Sequence, residues 1–212
     1  FVEKTDIPTA STLLGLGALP SNHSHFCGML GMHGDYAANV KTNECDVLIA
    51  IGMRFDDRVT GDVSRYAKQA KVIHIDIDAA SISRNIAVDI PIVGDAKNAI
   101  TVLIKKAVPL NITEWTEQID LWKQHYPINM TQTGMTPQMI IQSINKIFDH
   151  AIITTDVGQN QLWATQFLDL DKNRKMLTSG GLGTMGYGFP AAIGAQIGNP
   201  KKDIIVISGD GG

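Results

Sequence analysis

At 212 residues, with 44% hydrophobic and 18% charged side chains, the chain is long enough for one large domain or two smaller ones, each with a core. Its 18 basic and 21 acidic residues leave a net charge of -3, and no run of Lys and Arg interleaves with aromatics, which argues against a nucleic-acid partner. No apolar run nears the roughly 18 residues of a membrane helix, no signal-peptide pattern opens the chain, and Cys27 and Cys45 make neither a CxxC pair nor a disulfide framework.

In chain order, short β-branched runs at 46–52, 71–78, 90–95, 151–158 and 203–210 each end in Gly or Asp. They predict buried parallel strands. Helices are predicted at 96–107 behind an Asp95 cap, at 113–125, at 136–148 opening on Thr136-Pro137, and at 191–198, which is rich in small residues. Strands alternating with helices predict a parallel α/β architecture. The tract 108–134 breaks that rhythm with Pro109, Pro127 and a polar stretch. A boundary near residue 127 follows, giving a first domain over 1–126, of a six-stranded parallel type, and a second over 127–212. The chain opens on Phe1 and ends just behind a strand that a covering helix would normally follow. It therefore reads as a segment of a longer protein.

The residues that carry chemistry lie at strand ends and in glycine-rich loops. Residues 180–190 place five glycines in nine residues ahead of a small-residue helix, a pattern that suits close backbone approach to an anion at a helix N-terminus. A tight turn would use the same pattern. Gly209-Asp210-Gly211 closes a strand, where a carboxylate can hold Mg²⁺ beside phosphate oxygens; a plain turn is the alternative. Gln159 and Asn160 follow another strand end and offer amides. Arg54, Asp56, Asp57 and Arg58 cluster just past a strand end, as either a ligand-facing group or solvated ion pairs. His33 sits between glycines on a loop. Asp76 and Asp95 end strands, and Asp95 is also placed to cap a helix. A GxGxxG fingerprint is absent from the first half.

In this order, the Gln159 loop, the Gly183-Thr184-Met185-Gly186 segment and the Gly209-Asp210-Gly211 turn resemble the third domain of thiamine-diphosphate enzymes. The first half adds GMLGMHG at 28–34, GMRFDDRVTG at 52–61 and HIDID at 74–78. With these the chain is similar, over nearly its whole length, to the acetolactate synthase catalytic subunits, RFDDRVTG being the most discriminating string. That resemblance implies a central domain touching FAD, followed by part of a thiamine-diphosphate-binding domain. It implies decarboxylation of pyruvate on thiamine diphosphate and transfer of the two-carbon unit to pyruvate or 2-oxobutanoate, at the start of branched-chain amino-acid synthesis.

By matching positions, Leu30, Gly31, Met32, His33, Gly52, Met53, Arg54, Phe55, Asp56, Asp76, Ile77, Asp95 and Ala96 are expected at a non-redox FAD, with no acid–base role for His33. Arg58 is expected to face the active site, where a guanidinium suits a 2-oxo acid carboxylate. Met185 is expected to hold the cofactor bent, with Gln159, Asn160, Gly183, Thr184, Gly211 and Gly212 bordering it and Asp210 ligating Mg²⁺. The family often has His where this chain has Asn160. The activating Glu and the Asn that completes the Mg²⁺ shell lie outside this sequence, so the 212-residue chain is expected to be inactive alone. A homodimer or homotetramer, a small regulatory subunit, and a bacterial cytoplasmic or plastid or mitochondrial-matrix location are the further implications. A related carboligase such as glyoxylate carboligase, or a non-catalytic nucleotide-binding module, stands as the alternative.

Overall fold

The computed structural model describes residues 1–129, 133–171 and 173–212. The chain divides into two compact units, Phe1–Thr12 with Cys27–Pro127, and Leu13–Phe26 with Ile128–Gly212. One division between the units falls at Pro127–Ile128, and residues 13–26 group with the second. Local backbone bonding explains this. Ser21 N–H donates to Leu170 O at 2.8 Å, and Leu170 N–H donates to Ser21 Oγ at 3.0 Å. Leu13 and Leu14 pack on Gly180.

The first unit runs α1 (Val2–Thr5), β1 (Thr9–Ser11), β2 (Phe26–Met29), α2 (Tyr36–Glu44), β3 (Val47–Ile51), α3 (Asp57–Thr60), β4 (Lys71–Asp76), β5 (Ile90–Val93), α4 (Ala96–Lys106) and α5 (Thr113–His125). Its principal sheet is parallel with order β3-β4-β5, and Val47 pairs with Lys71 and Ile73 with Ile90. Among the described residues this sheet has three strands, and β1 and β2 form a separate pair, which corrects the six-stranded expectation. The central strand β4 is the most buried of the three. Val72 and Ile75 are buried, and His74 lies among them with an edge-to-face contact to Phe55 at 5.2 Å.

One core gathers Ala50, Met53, Phe55, Tyr66 and Val72. A second joins Cys27, Leu30, Ala37, Ala38 and Ile119. Across that second core α2 meets α5 through a buried lysine. Lys41 Nζ stands 4.2 Å from the Trp122 ring and 4.6 Å from Trp115, and pairs with Glu44 at 3.1 Å. The aromatic faces and the carboxylate supply what a buried ammonium needs.

Burial pushes the thiols of Cys27 and Cys45 up to about 11. The shift is upward, so thiolate accumulates only as pH climbs toward that value. At pH 8 both cysteines are expected to alkylate with iodoacetamide roughly a hundredfold more slowly than free cysteine. Labelling at the free-thiol rate in the native protein would contradict the burial.

The second unit holds α6 (Pro137–Ile147), β6 (Ile152–Thr155), α7 (Gln159–Phe167), β7 (Lys175–Thr178), α8 (Gly188–Gly198) and β8 (Ile204–Ile207). Its sheet is parallel with order β7-β6-β8. Helix α6 starts as read, with Thr136 Oγ1 accepting from Met139 N–H and Pro137 in the first turn. Helix α8 starts at Gly188, three residues earlier than expected, because Pro190 lies in the first turn, where a missing N–H costs nothing. Strand β7, Lys175–Thr178, was not foreseen. It is short, has a single β-branched residue, and gains its place only by pairing with β6. The boundary tract 108–134 includes residues 130–132, which lie outside the described residues.

Candidate functional site

In a parallel sheet every strand delivers its following loop to one edge, where ligands bind. In the second unit that edge collects three loops. Residues 156–158 leave β6 and lead into α7. Residues 179–187 leave β7 and lead into α8. Residues 208–212 leave β8. The sheet order β7-β6-β8 places the β6 loop between the other two.

Each loop is held by polar contacts. Ser179 closes the β7 turn, its carbonyl accepting from Gly183 N–H at 3.0 Å and its hydroxyl from Thr184 N–H at 3.1 Å. Met185 follows with its side chain exposed, and its Cε lies against the Gly211 backbone. Asn160 is buried at the start of α7 and donates Nδ2–H to Ile207 O at 3.0 Å, tying α7 to the end of β8. Its amide nitrogen is therefore used within the fold. Gln159 is exposed at the first helical position. Gln161 donates to Thr178 Oγ1 at 2.6 Å, and Thr155 Oγ1 meets the same hydroxyl at 2.7 Å. These bonds lock the ends of β6 and β7 together.

Asp156 is the residue that sequence reasoning passed over. It is 2% exposed, and its carboxylate accepts N–H groups from Val157 at 2.7 Å, Gly186 at 2.9 Å and Gly188 at 3.4 Å. The backbone N–H of Val157, then those of Gly186 and Gly188, hold its pKa below the usual carboxylate range against the opposing effect of burial. A carboxylate ending a central strand, just before a helix opened by glycine, is the signal that could have marked it.

Asp210 and Gly211 are exposed on the neighbouring turn, with Gly212 beside Asp156. Among the described residues no three His, Cys, Asp or Glu side chains gather as a metal cluster. A single strand-end carboxylate is the donor set Mg²⁺ takes when phosphate oxygens and water supply the rest of its shell. The exposed glycines beside two helix N-termini suit a diphosphate. The residues present therefore fit a metal-bound diphosphate.

In the first unit the carboxyl ends of β3, β4 and β5 share an edge. Loop residue Gly31 has φ +102°, and a Cβ there would lie 2.6 Å from Arg58 O. Only glycine allows that approach, which lets Met32 N–H donate to Arg58 O at 2.9 Å. The loop holding Met32 and His33, both exposed, is thus seated on the turn bearing Arg58.

The predicted residues here divide by burial. Leu30, Met53 and Phe55 point into the cores, where their apolar side chains are used in packing. Gly52, Arg54, Arg58 and Ile77 are exposed. Arg54 pairs with Asp56 at 2.6 Å and Arg58 with Asp57 at 4.0 Å. These are rim ion pairs of small stability value, free to rearrange toward a ligand. Asp76 accepts Asp78 N–H through Oδ1 at 2.9 Å, while Oδ2 stands 3.8 Å from His74 Nε2, beyond hydrogen-bond range. Asp95 caps α4 by accepting Asn98 N–H at 2.9 Å, ahead of Ala96.

Comparison with known proteins matches both halves of the chain. The family description "Thiamine pyrophosphate enzyme, central domain" matches residues 1–103, and "Thiamine pyrophosphate enzyme, C-terminal TPP binding domain" matches residues 156–212. The chain is 47% identical, over its full length, to a Methanocaldococcus jannaschii protein named "Probable acetolactate synthase large subunit". It is 46% identical over its full length to the acetolactate synthase large subunit of Corynebacterium glutamicum, and 45% identical over 99% of its length to that of Porphyra purpurea. It spans 38%, 35% and 37% of those relatives respectively. With the two descriptions together matching most of the chain, it belongs to the thiamine pyrophosphate enzymes, and along its whole length it is similar to acetolactate synthase large subunits.

Proposed function

We propose that this protein takes part in acetolactate synthesis: it decarboxylates pyruvate and joins the two-carbon unit to a second 2-oxo acid, pyruvate or 2-oxobutanoate. The observation that carries the reading is the carboxyl edge of β7-β6-β8, where an exposed Met185, the Gly183-Thr184 turn and the strand-end Asp210 meet around a buried carboxylate. Thiamine diphosphate supplies the carbon–carbon chemistry when bound, and the protein supplies placement. Asp210 would ligate Mg²⁺, and Gly211, Gly212, Gln159 and Asn160 would border the diphosphate. Met185 would support the cofactor's bend.

In the first unit, Gly31, Met32, His33, Gly52, Arg54, Asp56, Asp76, Ile77, Asp95 and Ala96 would hold FAD in a structural, non-redox role, with Leu30, Met53 and Phe55 contributing backbone only. Arg58 would bind the substrate carboxylate through its planar fork. The relatives' "large subunit" names support a small regulatory partner, and a homodimer or homotetramer completes the reading. No helix of the described residues is long and apolar enough to cross a membrane. A bacterial cytoplasmic location, or a plastid or mitochondrial matrix in a eukaryote, goes with this reading.

The test is product formation by the full-length protein with pyruvate, alone and with 2-oxobutanoate, set against Arg58→Ala. The wild type is expected to release CO₂ and form acetolactate. Arg58→Ala is expected to raise the KM for pyruvate roughly 10- to 100-fold, the worth of one charge-assisted pair, with cofactor affinity unchanged. Arg58→Lys would not restore it, because a point charge cannot reproduce the fork. A wild-type protein that consumes no pyruvate with thiamine diphosphate and Mg²⁺ present would overturn the proposal.

A further inference from the structure

We propose that Asp156 is a positioning residue for the cofactor: its carboxylate sets the Met185 segment against the Gly209-Asp210-Gly211 turn. This rests on the thiamine-diphosphate reading of that edge and adds a residue to it.

The argument begins from burial. An ionised carboxylate out of water must find donors, and those it finds here are all backbone. Val157 N–H comes from its own strand end, Gly186 N–H from the residue following Met185, and Gly188 N–H from the first residue of α8. Gly186 N–H reaches both oxygens, at 2.9 and 3.0 Å. The segment 185–188 is thereby pinned at two points to the end of the central strand. Close packing reinforces the pinning: a Cβ on Gly188 would stand 2.8 Å from Asp156 N.

The same residue faces the third loop. Asp156 N–H donates to Ile207 O at 2.9 Å, and a Cβ on Gly212 would fall 2.6 Å from Asp156 Oδ2. Met185 Cε meets Gly211 from the other side. One buried carboxylate therefore touches the β6, β7 and β8 loops at once, between the residue expected under the cofactor and the turn expected at its metal. An asparagine of the same shape would place an NH₂ donor against backbone N–H donors, since its amide offers only one acceptor atom. The folded pKa is lowered, so this contact is intact above the ordinary carboxylate range and is lost only as pH falls below it. Near neutral pH it does not vary.

The experiment is thiamine diphosphate titration of the full-length protein with Mg²⁺, comparing wild type with Asp156→Asn. Near-ultraviolet circular dichroism of the bound cofactor serves as a second readout. Asp156→Asn is expected to weaken thiamine diphosphate about 10- to 100-fold, the range seen for groups that orient a site from behind. It should also alter the bound-cofactor dichroism while leaving the far-ultraviolet spectrum unchanged. Binding and dichroism equal to wild type would overturn the proposal while leaving the thiamine-diphosphate reading intact. Failure of the wild type to bind would instead sink that reading. Should the variant not fold, amide hydrogen exchange in the wild type decides. Gly186 and Gly188 are expected to be protected at pH 5–7, in line with the retained contact, and fast exchange at both would refute it.

Discussion

Asp210→Ala is expected to lose Mg²⁺-dependent thiamine diphosphate binding, with affinity falling by more than about a hundredfold, because a ligating carboxylate should matter more than the groups that only orient one. The side chain is exposed, so stability should move by less than about 0.5 kcal/mol. This separation makes the experiment decisive: a folded protein that no longer loads its cofactor isolates the carboxylate's role. Asp210→Asn should retain a weak site, since an amide oxygen can ligate Mg²⁺ without the charge. Calorimetric titration of the full-length protein with thiamine diphosphate, across a series of Mg²⁺ concentrations, measures both effects. Unchanged affinity in Asp210→Ala would remove the basis for placing the diphosphate at this edge.

The second large effect is expected far from that chemistry. Arg174 is 4% exposed, yet among the described residues its guanidinium bonds only to carbonyls. Nε–H donates to Phe148 O at 3.1 Å, Nη2–H to Asn145 O at 3.0 Å and Phe148 O at 2.7 Å, and Nη1–H to Asp169 O. Asn145 lies among the last residues of α6, whose terminal carbonyls have no partner within the helix, and Phe148 is its C-cap. The cation thus satisfies the orphan acceptors and meets the negative end of the helix dipole. Nearby, Asn145 itself donates to Phe167 O and accepts from Asp169 N–H, so the end of α6, the end of α7 and the following loop share one network.

Arg174→Met keeps much of the volume but strands several buried carbonyls. We expect a loss of about 3–5 kcal/mol, as for other broken buried charge networks. Arg174→Lys should recover only part of it, because three donors on one nitrogen cannot span the fork. Urea unfolding with unchanged m-value measures the loss, and a drop below about 1 kcal/mol would show that the network is dispensable.

Arg174 also illustrates the limit of reading along the chain. Nothing in its neighbours announces burial, since Asn173 and Lys175 beside it are exposed. Strand β7, which begins at the next residue, was missed for a related reason: four residues of mixed character become a strand only when β6 offers its free edge. The β-branched strands, by contrast, carry their own signal. Val47–Ile51, Ile152–Thr155 and Ile204–Ile207 are β-branched-rich, short and ended by turn residues, a pattern that survives without knowledge of neighbours.

The site follows the same division. The glycine-rich loop and the Gly209-Asp210-Gly211 turn could be read directly because their chemistry depends on residue type: small residues for close approach, a carboxylate for a metal. Whether a given side chain is available to a ligand could not be read. Leu30 and Phe55 stand in the same motifs as exposed His33 and Arg54, yet pack into cores, because strand twist and loop path decide which way each points.

From its sequence alone, then, this protein determined its parallel α/β class, the helix caps at Asp95 and Thr136, its family, and the strand ends where chemistry belongs, since each depends on local propensity or on residue type in order. The tertiary structure alone decided that residues 13–26 join the second unit, that β7 completes its sheet, and that the Asp156 carboxylate meets two glycine amides thirty and more positions away. Those outcomes depend on which backbone donors and acceptors remain unpaired once the strands align, and that is a property of the assembled sheet.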